Sequence, residues 1–293
     1  MRTAPFDYVC ARSTAEALVA LEAEADTRVI AGGQSLVPVM ALRLSTPDVL
    51  VDISRCAELL SYELGATSLS VGAAVTDRVL ERDPEVRSSH PLLAQALSFV
   101  AHPEIRARGT LCGSLAHADP AAELPALLLA TGGEVEVAGP AGSRRIAADD
   151  FFSGSFMTAL EEGELVVAAH LPLPRPRSGW AVDEIARRRG DFALAGVVCV
   201  LEVDEHDVCN GARVALFGVA STPVRAAAAE RALLGQRLTA AGLDEAAAAS
   251  FDGVDVLGDE VHASAAYRRT AGRLLVRRAL GDAAARTSAE VAA

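Results

Sequence analysis

The sequence predicts an α+β protein, with helices and strands mixed in its N-terminal part and helices beside an antiparallel sheet in its C-terminal part. Three observations predict this fold class. Helical and strand patterns alternate over the first 55 residues, prolines interrupt regular structure at Pro172–Arg177, and two apolar strands precede helices rich in Ala and Leu. The alternation indicates a compact α/β unit, and the proline-rich stretch indicates a domain boundary.

The first unit is predicted to end near residue 55. Ser13-Thr14-Ala15-Glu16 is a capping box that opens an amphipathic helix. A strand at Arg28–Ala31 follows, and Ser35 is expected to cap a helix over Leu36–Leu44. Val49–Ile53 is predicted to be the next strand.

The following region, from residue 56 to residue 174, contains shorter elements. The stretch Ile105–Leu115 is bracketed by glycines and is predicted to be a loop. Asp119-Pro120 is typical of an N-cap followed by proline, and Thr131-Gly132-Gly133 is a helix stop signal. The other predicted elements are a strand at Ser68–Ala73, a Thr76-capped helix through Arg82, helices over Pro91–Ala101 and Ala121–Ala130, a hairpin of Glu134–Ala138 with Arg144–Ala147, and a strand at Glu164–Leu171.

Beyond the proline-rich boundary the pattern becomes simpler. Ala193–Val203 and Ala212–Val219 are predicted to be neighbouring antiparallel strands. Three helices rich in Ala and Leu are predicted after them, over Pro223–Leu234, Thr239–Ala249 and Ala263–Leu280.

Composition excludes several classes of function. The chain is 51% hydrophobic and 23% charged, as globular proteins are, and its net charge of −12 offers no basic face for nucleic acid. The longest apolar runs, such as Phe192–Leu201, are too short to span a bilayer, and no signal-peptide core is present, so a cytoplasmic protein is expected. Five cysteines without a C-x-x-C spacing indicate neither disulfides nor a zinc or iron–sulfur site.

Two glycine segments offer the clearest chemistry. Ala31-Gly32-Gly33-Gln34-Ser35-Leu36 lies between a predicted strand and a predicted helix, and Gly109-Thr110-Leu111-Cys112-Gly113-Ser114 lies in the predicted loop. Glycines let a ligand approach the backbone, and amides that open a helix can bind a phosphate. The alternative for the first segment is an ordinary strand exit. Neither segment matches the Rossmann or P-loop pattern.

Four motifs occur in order along the chain: Ala31–Leu36 with Met40–Leu44, Ile105–Pro125, Arg187–Ala193 and Val261–Arg268. Together they resemble the FAD-binding medium subunits of the molybdenum hydroxylases, a family that includes aerobic carbon monoxide dehydrogenase and the xanthine dehydrogenases. The resemblance covers nearly the whole chain. It implies an FAD-binding domain over residues 1–174 in two lobes, 1–55 and 56–174, then a C-terminal flavoprotein domain over 178–285 and a frayed tail at 286–293.

The resemblance also implies non-covalent FAD and a set of contact residues. The two glycine segments would wrap the pyrophosphate, Glu123 would bind a ribose hydroxyl, and Val166 would line the flavin ring. Three assignments have alternatives: Glu123 as a favourable charge in a first helical turn, Asp119 as an N-cap, and Phe192 as a core aromatic rather than a neighbour of the ring. The predicted cofactor-binding residues are Ala31, Gly32, Gly33, Gln34, Ser35, Leu36, Thr110, Leu111, Cys112, Gly113, Ser114, Asp119, Glu123, Val166 and Phe192.

Some residues depart from the family pattern. Gln34 stands where some relatives have histidine, Cys112 replaces a common glycine, and Ser114 stands where others have asparagine. Glu184 occupies a region where some relatives carry a lysine near the ring. We expect none of these to abolish FAD binding, and the sequence provides no catalytic acid–base residue and no metal ligand set.

The implied function is electron transfer. In this family a small partner subunit carries [2Fe–2S] clusters, a large partner subunit carries the molybdenum cofactor, and the FAD subunit passes electrons to an external acceptor. Two alternatives from other classes remain at this level: a stand-alone flavoprotein oxidoreductase that acts on a small metabolite, and a non-enzymatic scaffold subunit with an empty flavin site.

Overall fold

The structure is a computed structural model that describes residues 2–22, 25–259 and 261–288. The strands are β1 Asp7–Cys10, β2 Thr27–Ile30, β3 Val49–Asp52, β4 Tyr62–Leu64, β5 Ser68–Gly72, β6 Glu134–Gly139, β7 Gly142–Ala147, β8 Phe152–Gly154, β9 Met157–Thr158, β10 Leu165–Pro172, β11 Ser178–Ala186, β12 Ala193–Val203, β13 Cys209–Phe217 and β14 Val224–Arg225. The α-helices are α1 Thr14–Leu21, α2 Leu36–Ala41, α3 Asp77–Arg82, α4 Pro84–Ser89, α5 Pro91–Leu97, α6 Pro103–Arg106, α7 Leu111–His117, α8 Glu123–Thr131, α9 Ala148–Phe151, α10 Ala227–Leu233, α11 Ala240–Ala249 and α12 Ala265–Thr287, with a 3-10 helix at Ala57–Leu59.

The first lobe is a three-stranded parallel sheet in the order β1-β3-β2. Val51, in the central strand, pairs with Val9 on one side and Val29 on the other. Helix α1 begins as its capping box predicts: the Ser13 side chain accepts a hydrogen bond from the Glu16 amide at 3.1 Å. Parallel strands need crossover connections, and these carry α1 and the first glycine segment.

The second lobe packs helices against a five-stranded sheet in the order β4-β5-β10-β6-β7. Strand β10 lies in the middle and pairs antiparallel with β5 and β6. Helix α8 is buried along almost its whole length, with Leu124, Leu127 and Leu128 in the hydrophobic core. A helix that is apolar on every side belongs inside a protein, so α8 is the central helix of this lobe.

The C-terminal region is a four-stranded antiparallel sheet, β11-β12-β13-β14, on which α10 and α12 pack, and α11 packs against these two helices. Side chains of β12 alternate between two cores: Val197 packs in the core beneath α12, whereas Val198 packs in the core of the N-terminal lobes. The sheet therefore has the helices on one face and the rest of the protein on the other. The α+β class is confirmed.

Several element boundaries differ from the prediction. Helix α2 ends at Ala41 rather than Leu44, because Arg43 adopts a left-handed conformation with φ 59°. Helix α5 ends at Leu97 rather than Ala101, and the predicted helix from Pro223 begins only at Ala227, after strand β14. Ser35 and Thr76 precede their helices but accept no capping hydrogen bond from them.

The prediction that Ile105–Leu115 forms a loop was wrong. This stretch contains the end of α6 and the start of α7, joined through Gly109. Helix α12 continues through Thr287, so the predicted frayed tail begins too early at residue 286, and residues 289–293 lie outside the described part of the chain.

Candidate functional site

A cavity of about 700 Å³ opens between the two lobes and is lined also by the loop between β11 and β12. Its volume lies within the range of about 300–1,000 Å³ that is typical of ligand pockets. All the predicted contact residues except Leu111 line it. Leu111 is 1% exposed and packs in the hydrophobic core, so its side chain does not line the cavity, and its predicted role is confined to its backbone.

The first glycine segment forms the turn from β2 into α2. Gly33 has φ 70°, a conformation that favours glycine, and its carbonyl accepts the first helical hydrogen bond, from Val37. The Gln34 side chain donates to the Gly32 carbonyl at 2.9 Å, so it stabilises the turn from within. In the described part of the chain, the backbone amides of Ser35 and Leu36 have no acceptor. These amides are free to bind an anion.

The second glycine segment is a helix start rather than a loop. Thr110 is the N-cap of α7, and its hydroxyl accepts a hydrogen bond from the Gly113 amide at 3.0 Å. Cys112 is 1% exposed, and its thiol points to the Val71 carbonyl at 3.5 Å. Burial raises the pKa of this thiol to about 12, so it stays protonated and inert. A Cβ at Cys112 is accommodated because the residue is helical.

An apolar wall and two exposed aromatic rings complete the cavity. Val166 is 5% exposed and lies in β10, beside a register shift between Val166 and Ala168. Phe192 is 65% exposed, so the alternative that it is a core aromatic was wrong. Phe156 is 57% exposed and packs against His117 with ring centroids 5.1 Å apart. Phe156 and Phe192 therefore lie at the rim.

Two buried carboxyl groups lie in the same cavity. Glu123 is the first residue of α8 and is 8% exposed, and burial raises its pKa to about 7. Asp77 is the first residue of α3 and is 3% exposed; burial, and then the charge of Glu123, raise its pKa to about 7. Carboxyl groups held this way inside a ligand-sized cavity are candidates for polar contacts with a ligand.

Asp119 and Glu184 have different surroundings. Asp119 accepts a hydrogen bond from the Ala121 amide at 2.9 Å, but α8 begins two residues later with Ala122 as its N-cap, so the N-cap prediction for Asp119 was wrong. Glu184 lies in β11 outside the cavity lining. Burial, helped by the charges of Glu123 and Asp183, raises its pKa to about 8.

Sequence reasoning missed several residues that line the cavity, among them Asp77, His102, Phe156 and Gly190. Gly190 lies within the Arg187–Ala193 motif, so the sequence contained a signal that could have identified it. It has φ 85°, and a Cβ there would lie 2.6 Å from the His102 ring, so the C-terminal region closely approaches the second lobe. Asp77, His102 and Phe156 belong to no motif, and only the tertiary fold brings them here.

The donors and surfaces of this cavity suit a dinucleotide. Amides without acceptors are matched to phosphates, the carboxyl group of Glu123 to hydroxyls, and the wall around Val166 to an aromatic ring system. No helix of the described residues is both long and apolar enough to cross a membrane.

Comparison with known proteins identifies the family. Residues 4–174 match the FAD binding domain in molybdopterin dehydrogenase, and residues 180–283 match the CO dehydrogenase flavoprotein C-terminal domain. The 6-hydroxypseudooxynicotine dehydrogenase complex subunit alpha of Paenarthrobacter nicotinovorans is 38% identical over 97% of this chain and 96% of its own length. The carbon monoxide dehydrogenase medium chain of Hydrogenophaga pseudoflava is 35% identical over 96% of this chain and 98% of its own.

Comparison with solved structures identifies the same family. Quinoline 2-oxidoreductase from Pseudomonas putida 86 superposes with a TM-score of 0.93 at 37% identity, covering 99% of this chain and 100% of that chain. A carbon monoxide dehydrogenase from Hydrogenophaga pseudoflava gives a TM-score of 0.93 at 36% identity, covering 98% of this chain and 99% of that chain. The resemblance inferred from four motifs is thus confirmed. The chain belongs to the family of FAD-binding medium subunits of the molybdenum hydroxylases.

Proposed function

We propose that this chain binds FAD non-covalently in the cavity and serves as the electron-transfer subunit of a molybdenum hydroxylase-type dehydrogenase. In this proposal a small partner subunit holds [2Fe–2S] clusters, a large partner subunit holds the molybdenum cofactor, and electrons leave through FAD to an external acceptor. The observation that carries the proposal is the single cavity into which both glycine segments and the rim residue Phe192 open.

Different residues around the cavity are assigned to different parts of FAD. The amides of Ser35 and Leu36, with the start of α7, are assigned to the pyrophosphate. Hydrogen bonds to a charged group contribute about 1.5–3 kcal/mol each, so a few of them bind a dinucleotide without a lysine. Glu123 is assigned to a ribose hydroxyl, because the oxygens of its carboxyl group can accept hydrogen bonds that hydroxyl groups donate.

The apolar side of the cavity is assigned to the flavin ring. Val166 supplies a buried wall, and Phe192 at the rim supplies an exposed aromatic surface. Bound FAD supplies the redox chemistry, and the protein positions it and excludes water from one side. The exposed rim leaves the opposite side accessible to a partner subunit and to an acceptor.

Domain limits and location form part of the same proposal. The two family matches, over 4–174 and 180–283, support an FAD-binding domain over 1–174 and a C-terminal domain over 178–285. The separate sheets β1-β3-β2 and β4-β5-β10-β6-β7 support lobes at 1–55 and 56–174. All five cysteines are free thiols in the structure, which suits the reducing conditions of the cytoplasm. Cell fractionation with an antibody against this chain tests the cytoplasmic location.

Stopped-flow absorbance of the flavin tests the electron-transfer role. The chain is purified alone and together with the iron–sulfur and molybdenum subunits from its own gene neighbourhood, and candidate substrates are then mixed with each preparation. We expect a chemical reductant to bleach the flavin in both preparations, and a substrate to bleach it only in the complex. Reduction of the isolated chain by a metabolite at a catalytic rate would instead establish a stand-alone flavoprotein. A chain that takes up no flavin would establish the scaffold alternative.

A further inference from the structure

Asp77 is a buried acidic residue, and no hydrogen bond among the described residues stabilises its carboxyl group. Its side chain lines the cavity and is 3% exposed, and its Oδ1 atom is buried with no hydrogen-bond partner among the described residues. Its Oδ2 atom lies against the second glycine segment, 2.7 Å from where a Cβ of Gly109 would be. An ionised carboxylate without donors would be strongly unfavourable in such a place.

The groups that face Asp77 do not supply the missing partner. Arg106 of α6 is nearby, but its guanidinium is bound to Glu81 at 2.8 Å and to the Val100 carbonyl at 2.8 Å. Glu123 of α8 and Glu81 of α3 are carboxyl groups and repel a charge on Asp77. Another neighbour, Cys112 of α7, has a protonated thiol that is bound to the Val71 carbonyl. These surroundings favour the neutral form of Asp77.

The position of Asp77 identifies which part of a ligand it meets. Its own amide donates to the Gly109 carbonyl at 2.8 Å, which fixes α3 against the start of α7. The carboxyl group is thereby held beside the segment assigned to the pyrophosphate. An ionised Asp77 would repel a phosphate, whereas a protonated Asp77 can donate a hydrogen bond to one.

We propose that the protonated carboxyl group of Asp77 donates a hydrogen bond through its Oδ2 atom, the oxygen beside Gly109, to the pyrophosphate of FAD, so that FAD binding requires this group to hold its proton. This inference rests on the FAD site proposed above and adds pH dependence to it. No bond is made or broken; the proton stays on Asp77 and is shared with a phosphate oxygen. Because burial raises the pKa of Asp77 to about 7 in the absence of FAD, affinity for FAD is expected to fall as the pH rises above that value.

The test measures the dissociation constant of FAD for the deflavinated chain between pH 6 and pH 9 in phosphate-free buffer, by quenching of flavin fluorescence. We expect the dissociation constant of the wild type to rise by up to about tenfold for each pH unit above pH 7. Asp77→Asn keeps a neutral donor, so it should bind FAD tightly at pH 6 and show no such rise. Asp77→Ala should bind roughly 10- to 100-fold more weakly at pH 6.

Burial also raises the pKa of Glu123 to about 7, so Glu123 needs its own control. The contribution of Glu123 is removed in both Glu123→Gln and the double variant Asp77→Asn/Glu123→Gln. Only Glu123→Gln, which retains Asp77, should still show a dissociation constant that rises with pH. Circular dichroism of each variant confirms folding. A second measurement is the infrared absorption of protonated carboxyl groups in the FAD-bound protein at pH 7. Glu123 and Glu184 contribute to this absorption as well, so Asp77→Asn should lose only the part that Asp77 contributes.

The outcomes separate this inference from the proposed function. If the wild type binds no FAD at any pH, the proposed function fails. If the wild type and Asp77→Asn bind FAD with the same pH profile, or if the infrared absorption of protonated carboxyl groups is identical in both, only the role of Asp77 is overturned. Affinity that increases with pH through Asp77 would also overturn it, since that result indicates an ionised Asp77 accepting from a hydroxyl.

Discussion

The backbone of Gly32 touches the backbone of Arg108. A Cβ atom at Gly32 would lie 2.0 Å from the Arg108 carbonyl oxygen and 2.9 Å from the Gly109 Cα atom. Gly32 belongs to the first lobe and Arg108 to the second, so the two lobes meet at the glycine segments themselves. The spacing between these segments, and with it the shape of the cavity, depends on the absence of a side chain at Gly32.

Gly32→Ala should therefore separate the two segments. Both atoms that the new methyl group meets are backbone, which cannot rotate away, and overpacking of this kind costs about 1–3 kcal/mol. We expect a folded protein with greatly reduced flavin content, measured from the absorbance ratio of flavin to protein. Gly281→Ala in α12 is the matched control, because nothing lies within 4 Å of its Cβ position. That control should keep its flavin and gain about 0.5–1 kcal/mol.

Gly33→Val tests the turn rather than the contact between lobes. Gly33 has φ 70°, and its Cβ would lie 2.9 Å from Ile30 Cδ1, so a β-branched side chain is both strained and crowded. We expect a folded but colourless protein. Gly33→Asn, which tolerates the left-handed conformation better, should retain more flavin than the valine variant. Full flavin occupancy in Gly33→Val would place the phosphates elsewhere.

Thr110→Ala should weaken the start of α7. The Thr110 hydroxyl accepts the Gly113 amide at 3.0 Å, and loss of such a cap costs about 1 kcal/mol. Urea denaturation of the apo-protein measures this loss, and Thr110→Ser should restore most of it. Equal stability of the alanine variant and the wild type would contradict the cap.

His90 should make the protein sensitive to mild acid. It is 1% exposed, its Nδ1 accepts the Leu93 amide at 3.2 Å, and burial lowers its pKa from 6.5 to about 4. The native state then binds fewer protons than the unfolded state between these values. Stability is present above pH 6.5 and is lost as the pH falls towards 4, by about 1.4 kcal/mol for each pKa unit.

The variant His90→Asn isolates this effect, because asparagine can still cap α5 but does not titrate. Urea denaturation at several pH values between 4 and 7 should show a smaller acid-induced loss in the variant than in the wild type. Parallel pH profiles for the two proteins would show that His90 does not remain neutral when buried.

Elements whose ends are set by nearby residues, such as helix caps and stops, were predicted correctly from the sequence. The capping box at Ser13 and the stop at Gly132, whose φ is 67°, appear where the sequence places them. The long apolar strand Ala193–Val203 has the predicted bounds, because a strand buried on both faces gives a continuous apolar run. The antiparallel pairing of β12 with β13 was likewise predicted correctly.

Elements stabilised by distant contacts were missed. Helix α7 contains Gly113 and has weak intrinsic helix propensity, but Leu111 and Leu115 are buried and provide the stability that the local sequence lacks. Asp119-Pro120 has the sequence of an N-cap, yet Asp119 accepts the Ala121 amide in a turn and α8 starts only at Glu123. The two glycine segments were visible from their residues, whereas Asp77 and Phe156 reach the cavity only through the fold.

The most direct test of the FAD site is the identity and amount of flavin released from the purified chain. The protein is expressed alone, denatured by heat or acid, and the supernatant is separated by chromatography against FAD and FMN standards. The account predicts one FAD for each wild-type chain, released completely, and very little from Gly32→Ala prepared in parallel. Release of FMN, flavin that stays attached to the denatured chain, or full FAD content in Gly32→Ala would contradict it.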